Sequence, residues 1–535
     1  MNEKKILYGG TIVTMNDRQP IVEAVGIKGD KIVAVGTLND VKYQLSDAEL
    51  INLEGKALLP GFHDCHCHPI AYIFFLVNLN LRSIKSYKEF KEVLKNTAKV
   101  KKTGEWILGL SYDELNFENE KILPDKWILD EICPNNPVFI LRFDGHIGIG
   151  NSQALELAGI DVNSIPPEGC EYRKNSKGEL TGVITENAVS VILSQYTLPN
   201  PEQIREAAIQ AFNNLAKNGI TSVHGIIHLG AGGEAGDLGA IEIPVMKSVQ
   251  DIIIQNWYSL VYTKTPKKLK KVKKPPLDGG ENDSKFKSRA LKLYIDGSLG
   301  ACTAWMHEPF TDQPDKSGFS VYDDLEVLYE QMKIAHNLGF QIGVHAIGDK
   351  GNRILVDLYK RLLTEHPREN HRHRIEHASL LTSDVITDMK ELGLIASIQP
   401  PFITTDAKLA DYRLGPERSK YTYPFKSLVD SGVICASGSD CPVEEPDVIW
   451  GLHALVNRNG FIPEECLNIK DALKTYTIDA AYSAFEDNIK GSIEIGKLAD
   501  FVILDKNPLE VPNEIIKDIQ VVETYVRGKR VYKKH

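Results

Sequence analysis

Apolar runs of strand length that alternate with helical stretches constrain this chain more than any other feature. Val321 to Leu338 reads as helical and precedes Phe340-Gln341-Ile342-Gly343-Val344. Ser383 to Leu392 leads into Leu394-Ile395-Ala396-Ser397-Ile398, and a further unit ends in Val433-Ile434-Cys435-Ala436-Ser437. Strand and helix repeated in this order are βα units, and a TIM (β/α)8 barrel of the α/β class is the economical expectation. A length of 535 residues exceeds one such core, so accessory structure is expected beside it.

The chain ends are expected to supply part of it. Ile6-Leu7-Tyr8, Thr11-Ile12-Val13, Ala24-Val25-Gly26-Ile27 and Ile32-Val33-Ala34-Val35 read as short strands, the last two hinged at a Gly29-Asp30 turn. The style returns in Asp500-Phe501-Val502-Ile503-Leu504 and in Val521 to Val531. Residues 1–57 and 490–535 are therefore expected to form one composite β-sandwich around a barrel of residues 58–489. A basic stretch from Lys264 to Lys274 interrupts the barrel pattern and reads as a solvated surface loop.

Charge excludes one class of partner: 62 basic against 72 acidic residues leave a net charge of −10, with no excess to hold nucleic acid. No apolar run reaches signal-peptide or membrane-span length, and none of the eight cysteines forms a CxxC pair. A cytoplasmic enzyme with reduced thiols, no membrane partner and no disulfide framework is the expectation.

The densest chemical feature is Pro60-Gly61-Phe62-His63-Asp64-Cys65-His66-Cys67-His68. Strand alternation places Asp64, His66 and His68 on one face and Cys65 and Cys67 on the other. If this is the first barrel strand, two imidazoles reach the mouth together in a pattern suited to zinc or a similar ion. Alone, such a pair can be polar residues at a strand end, and the two cysteines are rival soft ligands, although alternation sends them toward the helix layer.

Later strand ends add His345, His377 and Asp440, the positions where a barrel carries function. The spacings of 377 − 345 = 32 and 440 − 377 = 63 residues, about one and two βα units, put the histidines on strands five and six and the aspartate on strand eight. Jointly these residues predict a metal centre. In Leu291-Lys292-Leu293-Tyr294-Ile295-Asp296, alternation gives Lys292, Tyr294 and Asp296 a common face. A lysine facing a barrel interior is costly unless its charge is paired, here to Asp296 or to substrate, or removed.

This set resembles the amidohydrolase superfamily, specifically the amidohydrolase family 3 branch that includes N-substituted formamide deformylases. The resemblance covers nearly the whole chain. It rests on the Pro60–His68 motif, Asp144-Gly145-His146 with Asn151-Ser152, Asp296-Gly297-Ser298-Leu299-Gly300, and Val344-His345-Ala346-Ile347-Gly348-Asp349. Arg374-Ile375-Glu376-His377-Ala378, Gly438-Ser439-Asp440-Cys441-Pro442-Val443 and Gly496-Lys497-Leu498-Ala499-Asp500-Phe501 complete it. It implies that His66 and His68 hold one metal and that His345 and His377 hold a second. Lys292, carboxylated by carbon dioxide, would bridge them as a carbamate, and Asp440 would touch a metal and its water. Cys302 stands where the family usually has a small or basic residue, which leaves substrate details open.

Between His68 and Lys292 lie 292 − 68 = 224 residues, far more than two barrel strands need. An inserted subdomain, roughly residues 81–196, is expected to roof the mouth and shape specificity. From it His146 is a candidate substrate contact, with a simple loop hydrogen bond as the alternative; Asp296 is a second candidate for substrate. His224 is expected to end a third strand and carries no role, and His371-Arg372-His373 reads as a solvated strand start.

The activity implied is hydrolysis of a non-peptide C–N bond in a small molecule: an amide, an N-substituted formamide or a carbamate. Water activated to hydroxide by one or two divalent ions, zinc being expected, would attack the carbonyl, while Asp440 moves the proton to the leaving nitrogen. A deaminase or cyclic-amide hydrolase acting on a small heterocycle is the alternative enzyme. A non-catalytic scaffold would be marked by lost ligands, and all six positions are filled. The superfamily commonly forms homo-oligomers.

Overall fold

The computed structural model describes residues 3–114, 117, 122–142, 147–167, 170–230, 239–273, 277–279 and 285–534. The chain divides into two compact units, Met1–Ile70 with Ile209–His535, and Ala71–Ala208.

In the first unit eight parallel strands lie side by side in chain order. They are β1 (Phe62–Cys67), β2 (Ile220–His228), β3 (Asn256–Tyr262), β4 (Phe286–Tyr294), β5 (Gln341–Ala346), β6 (Arg374–His377), β7 (Ile395–Ile398) and β8 (Cys435–Ser437). Local chemistry marks the helices between them. Asp324 caps the helix Leu325–Asn337 by accepting from the Glu326 N–H at 2.9 Å. Gly393, at φ 66°, ends the helix Ser383–Leu392 in the left-handed conformation that a side chain would resist, and hands the chain to β7.

The barrel is nearly closed. No ladder joins β8 to β1 among the described residues; instead Asp440 N–H donates to the His66 carbonyl and His68 N–H to the Cys441 carbonyl, each at 2.7 Å. Ile226, Tyr258, Leu260 and Ala290 pack together inside. His345 and His377 thus stand on strands five and six, as the spacing arithmetic requires, and Asp440 lies three positions past β8 (440 − 437).

A mixed eight-stranded sheet joins the chain ends. Ala57–Pro60, which runs directly into β1, pairs with Lys4–Val13 on one side and antiparallel with Phe501–Leu504 on the other. Leu7, Val25, Leu58, Phe501 and Ile503 form a core on one face, and Ile6, Ala24 and Ala34 pack on Val41 and Leu45 on the other. The second unit carries its own six-stranded sheet. Alternation in Val138–Arg142 sends Ile140 into a cluster with Phe90, Leu94 and Leu129, and Phe139 into one with Leu155, Ile184 and Ile192.

Three local expectations change. His224 lies within the second strand, β2, not at the end of a third. The basic stretch is not a simple loop: Pro266–Lys271 is a 3-10 helix pinned by buried Pro266 and Leu269. His371 and His373 are buried, not solvated, because each is tied into the fold. His371 Nε2 donates to the Leu392 carbonyl and its Nδ1 accepts from the His373 N–H, both at 2.9 Å. His373 Nδ1 accepts from the Ile342 N–H at 3.0 Å, so its Nε2–H faces His336 Nδ1 at 2.9 Å, and His336 Nε2 donates to the His366 carbonyl at 2.9 Å.

Every ring in this relay uses one nitrogen as acceptor, so the relay needs all three imidazoles neutral. Burial lowers all three pKa values, that of His336 to about 4 and that of His373 well below the usual range. A depressed histidine pKa means that the unfolded chain binds the proton first, so stability is full above about pH 6.5 and falls as pH drops toward 4. Urea unfolding between pH 7 and pH 4.5 is expected to show that loss, and His336→Gln to flatten it relative to wild type.

Candidate metal centre

The C-terminal ends of β1, β5 and β6 and the turn after β8 converge on one buried cluster. His66, His377 and Asp440 each offer one ligand atom, and the three atoms lie within 4.8 Å of one another. His68 Nε2 stands 3.2 Å from Asp440 Oδ1, and His66 Nε2 stands 3.5 Å from the same oxygen. The ring of His377 lies 4.7 Å from that of His66 and 4.5 Å from that of His345, centroid to centroid. Lys292, fully buried on β4, sets its ammonium 4.6 Å from the Tyr294 ring centroid.

Two backbone distortions make this convergence. His377 has φ 73° and Asp440 has φ 60°, conformations that side chains other than glycine rarely adopt and that recur at functional sites. At His377 the distortion breaks strand alternation, so neighbours Glu376 and His377 both reach His66, by hydrogen bond and by ring contact respectively.

The histidine tautomers are held from behind. Glu376 Oε2 accepts from His66 Nδ1 at 2.6 Å, which leaves the lone pair on Nε2. His345 Nε2 donates to the Gly297 carbonyl at 3.0 Å, which puts its lone pair on Nδ1. Burial, joined for His66 by the Lys292 charge and for His377 by His345, pushes both pKa values well below the ordinary one. Neutral rings are the form that binds metal. Among the described residues, the buried atoms His66 Nε2 and His377 Nδ1 have no hydrogen-bond partner, and this donor set fits a divalent ion.

Glu376 is in turn fixed by Arg374, itself fully buried. The guanidinium meets Glu376 Oε1 at 2.7 Å and Oε2 at 2.9 Å, and also donates to the Cys65 carbonyl at 2.6 Å, Ser397 Oγ at 2.8 Å and His224 Nδ1 at 3.1 Å. Burial alone would raise the Glu376 pKa, but Arg374 and Lys292 outweigh it and hold the carboxyl below its usual range. A Cβ on Gly343 would lie 2.5 Å from Glu376 Oε1, so only glycine lets the carboxylate sit there.

Asp64 fastens the other flank. It accepts from the Ser439 N–H at 2.9 Å and from the Ser439 hydroxyl, tying β1 to the turn that carries Asp440. Burial lifts its pKa to about 6 against those hydrogen bonds. Cys65 packs with Ile395, Ala436 and Ala480, away from the cluster. Asp296 accepts main-chain N–H groups of Trp305, Ile347 and Gly348 at 2.8–3.0 Å, so both its oxygens are engaged in holding loops; burial raises its pKa to about 7. His146 lies outside the described residues.

Arg374, Glu376, Asp64 and Ser439 carry no role in the sequence reading. Two of them had a signal: Arg374 and Glu376 share the alternate face of a strand that ends in a candidate ligand, and a buried charge pair there needs a function or a partner.

The amidohydrolase family model matches residues 49–532. Protein LONG AFTER FAR-RED 3 of Arabidopsis thaliana is 32% identical over 98% of this chain and 91% of its own length. The N-substituted formamide deformylase of Arthrobacter pascens is 24% identical over 99% of this chain and 98% of its own. The crystal structure of an uncharacterized metal-dependent hydrolase from Pyrococcus horikoshii OT3 superposes with a TM-score of 0.77 and 28% identity, over 96% of this chain and 99% of that one.

Removing the guanidinium would strand a carboxylate in the barrel. Arg374→Met is expected to lower unfolding free energy by about 3–5 kcal/mol, the usual result of breaking a buried pair from one side, with guanidinium chloride unfolding as the measurement. The double variant Arg374→Met/Glu376→Gln is expected to recover part of the loss.

Proposed function

The chain belongs to the amidohydrolase family, and we propose that the cluster at the barrel mouth is the metal-dependent centre of a hydrolase acting on a non-peptide C–N bond. The observation that carries this reading is the trio His66, His377 and Asp440, buried with ligand atoms within 4.8 Å of one another, together with His66 Nε2 and His377 Nδ1, which have no hydrogen-bond partner among the described residues. His66 and His68 would hold one divalent ion, His345 and His377 a second, with Asp440 beside them and zinc the favoured metal. Lys292 would join the two sites once its ammonium loses one proton and the free amine adds carbon dioxide and loses a second, which would convert a buried cation into a carbamate anion.

A cation in this position supplies a Lewis acid that polarises a carbonyl oxygen and lowers the pKa of water toward about 7. The protein's own part is geometric and protonic. Asp440, at 3.2 Å from His68 Nε2 and 3.5 Å from His66 Nε2, accepts the proton of the attacking water and returns it to the departing nitrogen. Arg374 and Glu376 hold His66 in one tautomer, so the ligand face is set before substrate arrives. The products are a carboxylic acid, or carbonic acid derivative, and an amine. The activity for which the Arthrobacter relative is named makes N-substituted formamides the first substrates to try.

Elemental mass spectrometry of protein purified with bicarbonate present is expected to find close to two equivalents of metal. His66→Ala and Lys292→Ala are each expected to lose at least one equivalent and to cut turnover of N-substituted formamides by about 10³-fold or more. One equivalent insensitive to Lys292→Ala would replace the bridged pair with a single-metal site, and no metal in wild type would refute the proposal.

A further inference from the structure

The end of β2 carries a histidine that the centre described above does not use. His228 is the last residue of β2 and is buried, as is Glu242 on the first turn of the helix Glu242–Val249. Glu242 grips it twice: Oε2 accepts the His228 main-chain N–H at 2.6 Å, and the same carboxylate receives His228 Nδ1 at 3.1–3.2 Å. A carboxylate accepts hydrogen bonds, so Nδ1 bears a proton, and in the neutral ring Nε2 keeps the lone pair. Among the described residues Nε2 has no hydrogen-bond partner. A buried acceptor left open while its ring is fixed from behind has the form of a binding group.

Its direction follows from register. His228 pairs with Tyr262, and Tyr262 with Lys292; partners in a parallel ladder share a face, so His228 stands on the inward face with Lys292, two strands or about 10 Å away. Ile226, two residues earlier, belongs to the interior cluster. Ring contacts continue the line: His228 lies 5.0 Å from Tyr262, Tyr262 5.4 Å from Tyr294, and Tyr294 5.5 Å from His345.

We infer that His228 is a substrate-recognition residue of the hydrolytic site, positioned by Glu242, and that Nε2 accepts a hydrogen bond from an N–H or O–H on the amine side of the substrate. The flanking Tyr262 and Tyr294 rings suit a flat, aryl-bearing substituent, so the ligand class is an amide with an aryl group that carries a hydrogen-bond donor. This rests on the hydrolase reading above and adds to it the part of the substrate remote from the scissile bond.

The test uses the full, metal-loaded chain. In nitrogen-15 NMR of histidine-labelled protein, with His228 assigned by its absence from His228→Gln, the ring is expected as the Nδ1–H tautomer and to change in Glu242→Gln. An Nε2–H tautomer, or a ring indifferent to Glu242→Gln, overturns the inference without any turnover measurement. Kinetics then compare 4-hydroxyformanilide with 4-methoxyformanilide, which differ in one O–H. Wild type is expected to favour the hydroxyl compound by about tenfold or more in kcat/KM; His228→Phe erases the preference, and His228→Gln, which keeps an acceptor, restores much of it. The same preference in wild type and His228→Phe overturns the inference and leaves hydrolysis standing. Absence of bound metal, or of turnover on both compounds, removes the hydrolase reading and this inference with it.

Discussion

The mouth of the barrel depends on one buried cation. Arg374 carries its charge where water does not reach, and such a charge is costly unless an opposite charge is paired with it. Its guanidinium pairs with the carboxylate of Glu376 and also joins the carbonyl of Cys65 on β1, Ser397 on β7 and His224 on β2. Strands distant in sequence are thereby locked at one height, and the strand ends that carry His66 and His377 inherit that alignment. Glu376 then passes the constraint to His66 as a fixed tautomer.

A second constraint acts from the flank. Because β8 and β1 share no ladder among the described residues, the barrel's last gap is bridged by single contacts: Asp64 with Ser439, and the main-chain bonds from Asp440 and His68. The candidate centre sits on that gap. Asp440 comes from one side of it and His66 from the other, so these candidate groups also help to hold the two edges together.

Much of this was legible from residue order. The βα alternation and the 32- and 63-residue spacings located His345 and His377 on strands five and six and Asp440 just past the end of strand eight, because a barrel repeats with a nearly constant unit length. Period-two alternation separated Cys65 from His66 correctly. The same rule pairs Glu376 with Arg374 but hides its meeting with His66, since it assigns neighbours in a strand to opposite faces, and only the positive φ of His377 brings both Glu376 and His377 to His66. His371 and His373 misled for a related reason: three imidazoles bury together only when the third, His336, is supplied by a helix more than thirty residues away. Glu242 and His228 meet across a helix start that no strand pattern marks.

The sheet that joins the chain ends has a consequence for synthesis. Ala57–Pro60 is hydrogen-bonded to Phe501–Leu504, a partner 501 − 60 = 441 residues further on. At ribosomal rates of 5–20 residues per second, the N-terminal strands wait on the order of 20 to 90 s for it. During that interval Leu58 and Leu59, fully buried in the finished protein, have one edge without its mate, and β1, which starts two residues later, hangs from it. The strands made first are thus among the last completed, so the growing chain is most exposed to chaperones and to wrong pairing at the segment that leads into its candidate ligands.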